Sequence, residues 1–160
     1  MAKYAAKTEV PAERSRAEIE SILVRYGANA FSYGWDDGRA VIQFRANERH
    51  IRFELVLPDP NSTDFTRYTD RYGYVKARSA SAAQKEYEQA VRQKWRALVL
   101  VVKAKLEAID AGISTFGQEF LAHIVLPDGS TVGHQVMPKI AAAYETGQMP
   151  RLLTTGTEEK

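Results

Sequence analysis

The sequence predicts an α+β fold: an N-terminal helix, a three-stranded antiparallel meander, one long helix packed on the sheet, and a helical C-terminal annex. Two observations predict it. A run of good helix formers spans 82–111 without Gly or Pro. Apolar residues alternate with polar ones over 40–45 and again over 50–57, which is typical of half-buried strands.

Ser15 and Glu18 have the spacing of a capping box, so Ser15 is predicted to open the first helix. Gly27 is predicted to end it. Apolar residues recur between these positions at helical spacing, and we expect the face that they form to pack on the rest of the protein: Ile19, Ile22, Leu23 and Tyr26.

The next segment changes to a strand period. Residues 28–34 are predicted to form the first strand, and Asp37-Gly38 favours a hairpin turn. Pro58 and Pro60 are expected to end the sheet after the third strand. The alternation assigns these side chains to the buried face: Ile42, Phe44, Ile51, Phe53, Leu55 and Leu57.

The long helix is predicted to begin with a capping box of Ser81 and Gln84 and to close at Gly112. Its centre is apolar all round, so the side away from the sheet, centred on Leu100 and Val101, is predicted to contact a second subunit. One apolar face follows the helical period: Tyr87, Val91, Trp95, Leu98, Val102, Leu106 and Ile109.

The C-terminal annex begins with a third capping-box pattern, Thr115 with Gln118, which predicts a short helix. Residues 127–129 (Pro-Asp-Gly) predict a tight turn. Pro138 suits the first turn of a last helix that stops at Gly147. The side chains expected to face inward from this helix are Ile140, Ala141 and Tyr144.

Composition is typical of a soluble globular protein. With 160 residues and no internal repeat, the chain is expected to form one domain over 13–151, between an extended segment 1–12 and a flexible tail 152–160. The net charge of +2 argues against bulk electrostatic binding of nucleic acid. The absence of cysteine excludes disulfides and thiolate chemistry, and no apolar run is long enough to span a bilayer.

No motif of the chain is a catalytic signature, which favours a protein that is not an enzyme. There is no Gly-rich phosphate loop, no nucleophile elbow and no paired-histidine zinc motif. We therefore expect no cofactor and no metal site. The three histidines lack ligand spacing and are more typical of turn or surface positions: His50, His123 and His134.

Arginine and tyrosine are concentrated on the exposed side of the sheet and in the polar segment 61–79, which is predicted to be a functional loop or a flexible arm. Guanidinium groups bind phosphate oxygens in pairs of hydrogen bonds, and aromatic rings stack on bases. The same residue types also anchor loops and form protein interfaces, so those interpretations stay open. The predicted ligand-binding residues are Arg45, Arg49, Arg52, Arg67, Tyr68, Arg71, Tyr72 and Tyr74.

A second basic feature lies on the long helix. Four cationic residues fall within a narrow sector about a quarter turn from the apolar face. Such a stripe is more often a solvated helix face than a track for phosphates, and both interpretations stay open. Under the second one, the nucleic-acid-binding residues are Lys85, Arg92, Arg96 and Lys103.

Five stretches resemble a family of small, uncharacterised bacteriophage proteins: KYAAKT (3–8), RYGA (25–28), RQKWRAL (92–98), LPDGSTVG (126–133) and GQMP (147–150). They extend over nearly the whole chain. The resemblance implies a phage origin and action in the cytoplasm of the bacterial host. It transfers no catalytic residue.

Three functional hypotheses follow. The favoured one is a homo-oligomeric phage accessory protein, for host takeover or anti-defence, that sequesters a nucleotide-type small molecule without turnover. The alternative is a protein that binds single-strand or duplex nucleic acid. A further alternative is an inhibitor that binds a host protein through segment 61–79. A nucleotide-processing enzyme is the least favoured.

Overall fold

The computed structural model describes residues 5, 7–36 and 38–152, and it has the predicted α+β architecture. No helix within these ranges is long and apolar enough to cross a membrane. Residues 153–160 of the predicted tail and most of residues 1–6 lie outside the described residues. The elements are α1 (Ala12–Arg25), β1 (Ala30–Asp36), β2 (Arg39–Ala46), β3 (Arg49–Val56), α2 (Thr63–Thr66), β4 (Arg67–Thr69), β5 (Val75–Ala77), α3 (Ala80–Asp110), α4 (Phe116–Phe120), a 3₁₀ turn (Leu121–His123) and α5 (Val132–Thr146).

Helix α1 begins earlier than its predicted capping box. Pro11 precedes its first turn and accepts a hydrogen bond from the Ser15 N–H, 3.1 Å from its carbonyl. Ser15 is therefore inside the helix and fully buried, and the capping-box prediction is wrong. Glu18, its expected partner, instead reaches towards α3. The helix ends at Arg25, before Gly27 in a left-handed conformation, as the glycine signal predicted.

The three-stranded meander has the order β1–β2–β3, with both neighbouring pairs antiparallel. Its register sets Ile42 opposite Phe53 and Phe44 opposite Ile51. All four of these side chains are buried beneath the helices, which confirms the predicted inner face.

Helix α3 covers the inner face of the sheet. Trp95, which is buried, meets Tyr33 edge to face with ring centroids 5.5 Å apart. The helix begins two residues before the predicted start, because Ser79 caps it by accepting the Ala82 N–H at 3.3 Å. The predicted cap at Ser81 is therefore wrong. Gly112 follows the helix with φ +69°, as predicted.

The C-terminal annex packs against the sheet through Phe120. This ring is fully buried and lies edge to face against Phe44 and Phe53, with centroids 5.7 and 6.1 Å away. The predicted capping box of α4 is present, with Thr115 and Gln118 bonded reciprocally. The helix is therefore fixed both at its start and at its end.

Helix α5 departs from its prediction. It starts at Val132, where Thr131 caps it, so that Pro138 lies in its interior instead of its first turn. The inward face is also wrong: Tyr144 is 89% exposed and Ala141 is exposed, while Ile140 is half-buried. The reason is that α5 packs mainly against the short 3₁₀ turn, and no other described element covers its far end. It ends at a left-handed Gly147, as predicted.

His123 lies between the annex and the sheet. Its ring stacks on Phe53, with centroids 4.0 Å apart. Burial lowers the pKa of His123, and the charge of Lys105 lowers it further. The histidine therefore packs as a neutral ring between the annex and the sheet.

Candidate functional site

Segment 61–79, for which the sequence predicts only a loop or an arm, is ordered as the short helix α2 and a two-stranded hairpin. Strands β4 and β5 are antiparallel, with Arg67 opposite Ala77, Tyr68 opposite Lys76 and Thr69 opposite Val75. Strands of three residues are too short to show a readable period, which is why the sequence did not reveal them.

The tip of the hairpin is organised by Asp70. Its carboxylate accepts the N–H groups of Tyr72 and Tyr74, at 2.9 and 3.0 Å, and lies 2.8 Å from the ammonium of Lys76. The Lys76 hydrogen bond and these two N–H groups lower the pKa of Asp70. Gly73 completes the turn in a left-handed conformation, φ +88°. The hairpin therefore closes on itself through its own carboxylate.

Residues 67–78, here called the hairpin region, form a basic surface. Four of their side chains are cationic and only Asp70 is acidic, which gives a net charge of +3. Lys76 and Arg78 were not among the predicted ligand-binding residues. Both side chains lie near Tyr68 only because β4 and β5 pair across the hairpin, and strands this short cannot be recognised from the sequence.

Three tyrosines project from this basic surface. Tyr72 and Tyr74 are 69% and 68% exposed, and Tyr68 is 41% exposed. The Arg71 guanidinium lies 4.7 Å from the centre of the Tyr72 ring, and that of Arg78 lies 5.5 Å from the Tyr68 ring. Each of these pairs combines a flat aromatic surface with a phosphate-binding group.

The hairpin region is anchored at its base. The Arg78 N–H donates to the Thr66 carbonyl at 2.8 Å, which closes the segment onto α2. Phe65 of α2 packs edge to face on Tyr87 of α3, with ring centroids 5.9 Å apart. These contacts hold the base of the hairpin, while its tip points away from the core.

The three other predicted ligand residues do not join this surface. Arg45 and Arg49 flank the β2–β3 turn, whereas the chain leaves for the hairpin from the other end of β3, at Val56. Seven residue steps along a strand separate these ends by roughly 23 Å. Arg52 lies between them on the outer face, where its Nε is 3.3 Å from the Glu54 carboxylate. The structure thus brings five of the eight residues together.

The basic stripe on α3 lies beside α1. The Glu18 carboxylate of α1 forms salt bridges with the Arg96 guanidinium at 2.5 Å and with the Lys103 ammonium at 2.6 Å. It therefore pairs with two of the four cations. Arg92 donates to the Gln89 side chain at 2.8 and 3.0 Å, and Lys85 is exposed. Three of the four residues are therefore engaged within the protein.

Replacing Glu18 by Gln should destabilise the contact between α1 and α3. The Lys103 hydrogen bond, followed by Arg96, lowers the pKa of Glu18 below its usual 4.5. Its stabilising effect is therefore present above pH 4.5 and lost as the pH falls through the folded-state pKa. We expect a loss of about 1 kcal/mol at pH 7 because the side chains are partly solvated. Urea unfolding measures it.

The matched control is Glu20→Gln, which removes an exposed carboxylate from the same helix. It should leave the free energy of unfolding unchanged within a few tenths of a kcal/mol. Equal losses in both variants, or an unaltered pH profile for Glu18→Gln below pH 4.5, would contradict a structural role for the stripe.

The concave surfaces near the hairpin are open to solvent. A groove of about 490 Å³ at the hairpin is lined by residues that include Arg67, Tyr68 and Val75. A groove of about 760 Å³ runs between α3 and the segment around Phe65, and none of the three exposed tyrosines lines it. The hairpin region is therefore a projecting surface and not the wall of an enclosed pocket.

Comparison with models of protein families, with curated proteins and with solved structures gives no match.

Proposed function

We propose that this protein binds single-stranded nucleic acid on its hairpin region without chemical turnover. One observation carries the proposal: three exposed tyrosine rings stand on a surface of net charge +3 whose single carboxylate is engaged in its own turn. Aromatic rings stack on unpaired bases, and cations along the same surface neutralise phosphates.

An extended strand suits this surface better than a free nucleotide does. Sites for small ligands usually enclose most of the ligand surface. Tyr72 and Tyr74 remain about two-thirds exposed, and the groove beside Tyr68 is open. Sequestration of a nucleotide, which the sequence favoured, is therefore the second candidate, and it requires a second subunit to close the site.

Two further observations favour a single strand bound at the hairpin. Stacking on tyrosine needs bases that are not already stacked in a duplex. Three cations of the α3 stripe are engaged with α1 and Gln89, which leaves that stripe with less charge for phosphates. The hairpin cations Arg71 and Arg78 instead lie beside the rings of Tyr72 and Tyr68, and Arg78 also donates to the Arg67 carbonyl at 3.3 Å.

The resemblance to small phage proteins suggests where this binding would take place. A phage accessory protein of this kind acts in the cytoplasm of an infected bacterium, where single strands arise during replication and repair. Inhibition of a host protein would use the same exposed tyrosines, but the net charge of +3 in the hairpin region favours a polyanion.

Fluorescence anisotropy with a labelled oligothymidylate of about 12 nucleotides tests the proposal. We expect the logarithm of the binding constant to fall with the logarithm of salt concentration at a slope of about −2 to −3, as four cations predict for a single strand. Duplex DNA and mononucleotides should compete weakly. Saturable binding of a mononucleotide with no binding of the oligonucleotide would replace this function with nucleotide capture.

A further inference from the structure

The outer edge of β1 carries backbone groups that no described segment pairs. The order β1–β2–β3 places β1 at one edge, and its register with β2 runs from Ala30 to Asp36 without a bulge. The other edge is partly covered, because the Val125 N–H donates to the His50 carbonyl at 2.8 Å. Within the described ranges, nothing covers β1 in the same way.

Strand β1 also lacks the features that normally block an edge. Natural edge strands carry Pro, Lys, bulges or inward-pointing charges that prevent another strand from pairing. The sequence of β1 is AFSYGWD, in which only the last residue is charged. Trp35 is 75% exposed on the helix side of the sheet. A regular edge of this length, with no charged residue before its last position, is a template for a further strand.

We propose that β1 pairs antiparallel with β1 of a second copy of this chain, centred on Tyr33. The two sheets would then form one continuous six-stranded sheet about a two-fold axis. Both helical layers would lie on the same side of that sheet. This pairing is independent of nucleic-acid binding.

The hydrogen-bond phase of β1 selects this register. Gly38 accepts the Leu57 N–H at 2.8 Å, so even-numbered residues of β2 bond to β3. The odd-numbered residues of β2 therefore face β1, where they pair with even-numbered residues such as Asp36 with Arg39. The backbone groups of the odd-numbered residues of β1 are then directed outward. When two copies pair about Tyr33, odd-numbered residues of one β1 lie opposite odd-numbered residues of the other, and about six hydrogen bonds form. A slip of one residue would set odd-numbered residues opposite even-numbered ones, whose backbone groups are directed towards β2.

The side chains are compatible with the same register. Trp35 falls opposite the partner's Phe31 on the helix side, and aromatic pairs of this kind stabilise a sheet.

Disulfide trapping tests the register, because the chain contains no cysteine. In the proposed pairing, Ser32 lies opposite the partner's Gly34 as a non-hydrogen-bonded pair, with Cα atoms about 4.5 Å apart, which suits a disulfide. A Cβ added at Gly34 meets no atom within 4 Å, so a thiol fits there. A mixture of Ser32→Cys and Gly34→Cys chains should form a disulfide dimer under mild oxidation far more than either variant alone. No enrichment in the mixture would overturn the register.

Sedimentation of the cysteine-free chain tests the interface itself. We expect the unmodified protein to be dimeric at tens of micromolar and Trp35→Lys to be monomeric, with Ser32→Lys as a second edge variant should the first misfold. Val101→Lys is the matched control on α3, where Val101 is 44% exposed. It should remain dimeric. A monomeric unmodified protein, or a dimer lost only in Val101→Lys, would overturn the proposal.

Discussion

Replacing both Tyr72 and Tyr74 by Ala should weaken binding of a single strand by at least about 30-fold. Each base stacked on an aromatic ring contributes about 1–3 kcal/mol, and the two rings are separate surfaces on one turn. The main-chain N–H groups that bind Asp70 remain in the variant, so the turn is expected to keep its shape. Anisotropy titration at constant salt measures the loss.

The matched control is Tyr144→Ala, which removes a tyrosine that is 89% exposed on α5. It should bind as tightly as the unmodified protein. Unchanged affinity of the Tyr72→Ala/Tyr74→Ala variant would exclude stacking on the hairpin, whereas equal losses in both variants would indicate a non-specific effect of removing surface tyrosines.

Phe120→Ala should reduce the free energy of unfolding by about 3–5 kcal/mol, because it removes a large, fully buried ring and leaves a cavity. The ring joins the annex to both Phe44 and Phe53. We therefore expect the annex to lose its position before the rest of the protein unfolds. Urea unfolding followed by circular dichroism, together with hydrogen exchange of α4, measures these effects.

Leu121→Ala is the control for this variant, since Leu121 is adjacent but 55% exposed. Its cost should be below about 1 kcal/mol. A small loss in Phe120→Ala would mean that the annex is held by contacts other than this ring.

The architecture was largely predictable because its signals extend over many residues. Alternation in β2 and β3 identified the buried Ile42 and Phe53, and the helical period identified the buried Trp95. Single capping residues were less informative. Ser79 and Ser81 are both plausible caps, and only the backbone geometry decides that Ser79 is used.

Helix–helix contacts explain the other errors. Ser15 and Glu18 match a capping box locally, but Ser15 is buried and Glu18 pairs with Arg96 and Lys103, which are more than 70 residues away. Periodicity likewise assigned Tyr144 to an inward face, but it does not show that few of the described residues lie beside α5. Spacing along the chain does not reveal which surfaces remain without a neighbour.

The candidate site was predictable in its residue types but not in its shape. The density of Arg and Tyr pointed to segment 61–79, and the three exposed rings lie there. The hairpin itself was concealed, since its strands contain three residues each. Arg45 and Arg49 are of the same residue type, but the sequence did not show that they lie at the end of the sheet opposite to the one from which the chain leads to the hairpin.

Photochemical cross-linking tests the central claim most directly. The protein would be irradiated with an oligonucleotide that carries bromodeoxyuridine, digested with trypsin, and analysed by mass spectrometry. We predict cross-links in the peptides 68–71 and 72–76, which contain the three exposed tyrosines. Cross-links confined to peptides of α3 around Arg92 and Arg96 would contradict the account and assign binding to the helix stripe instead.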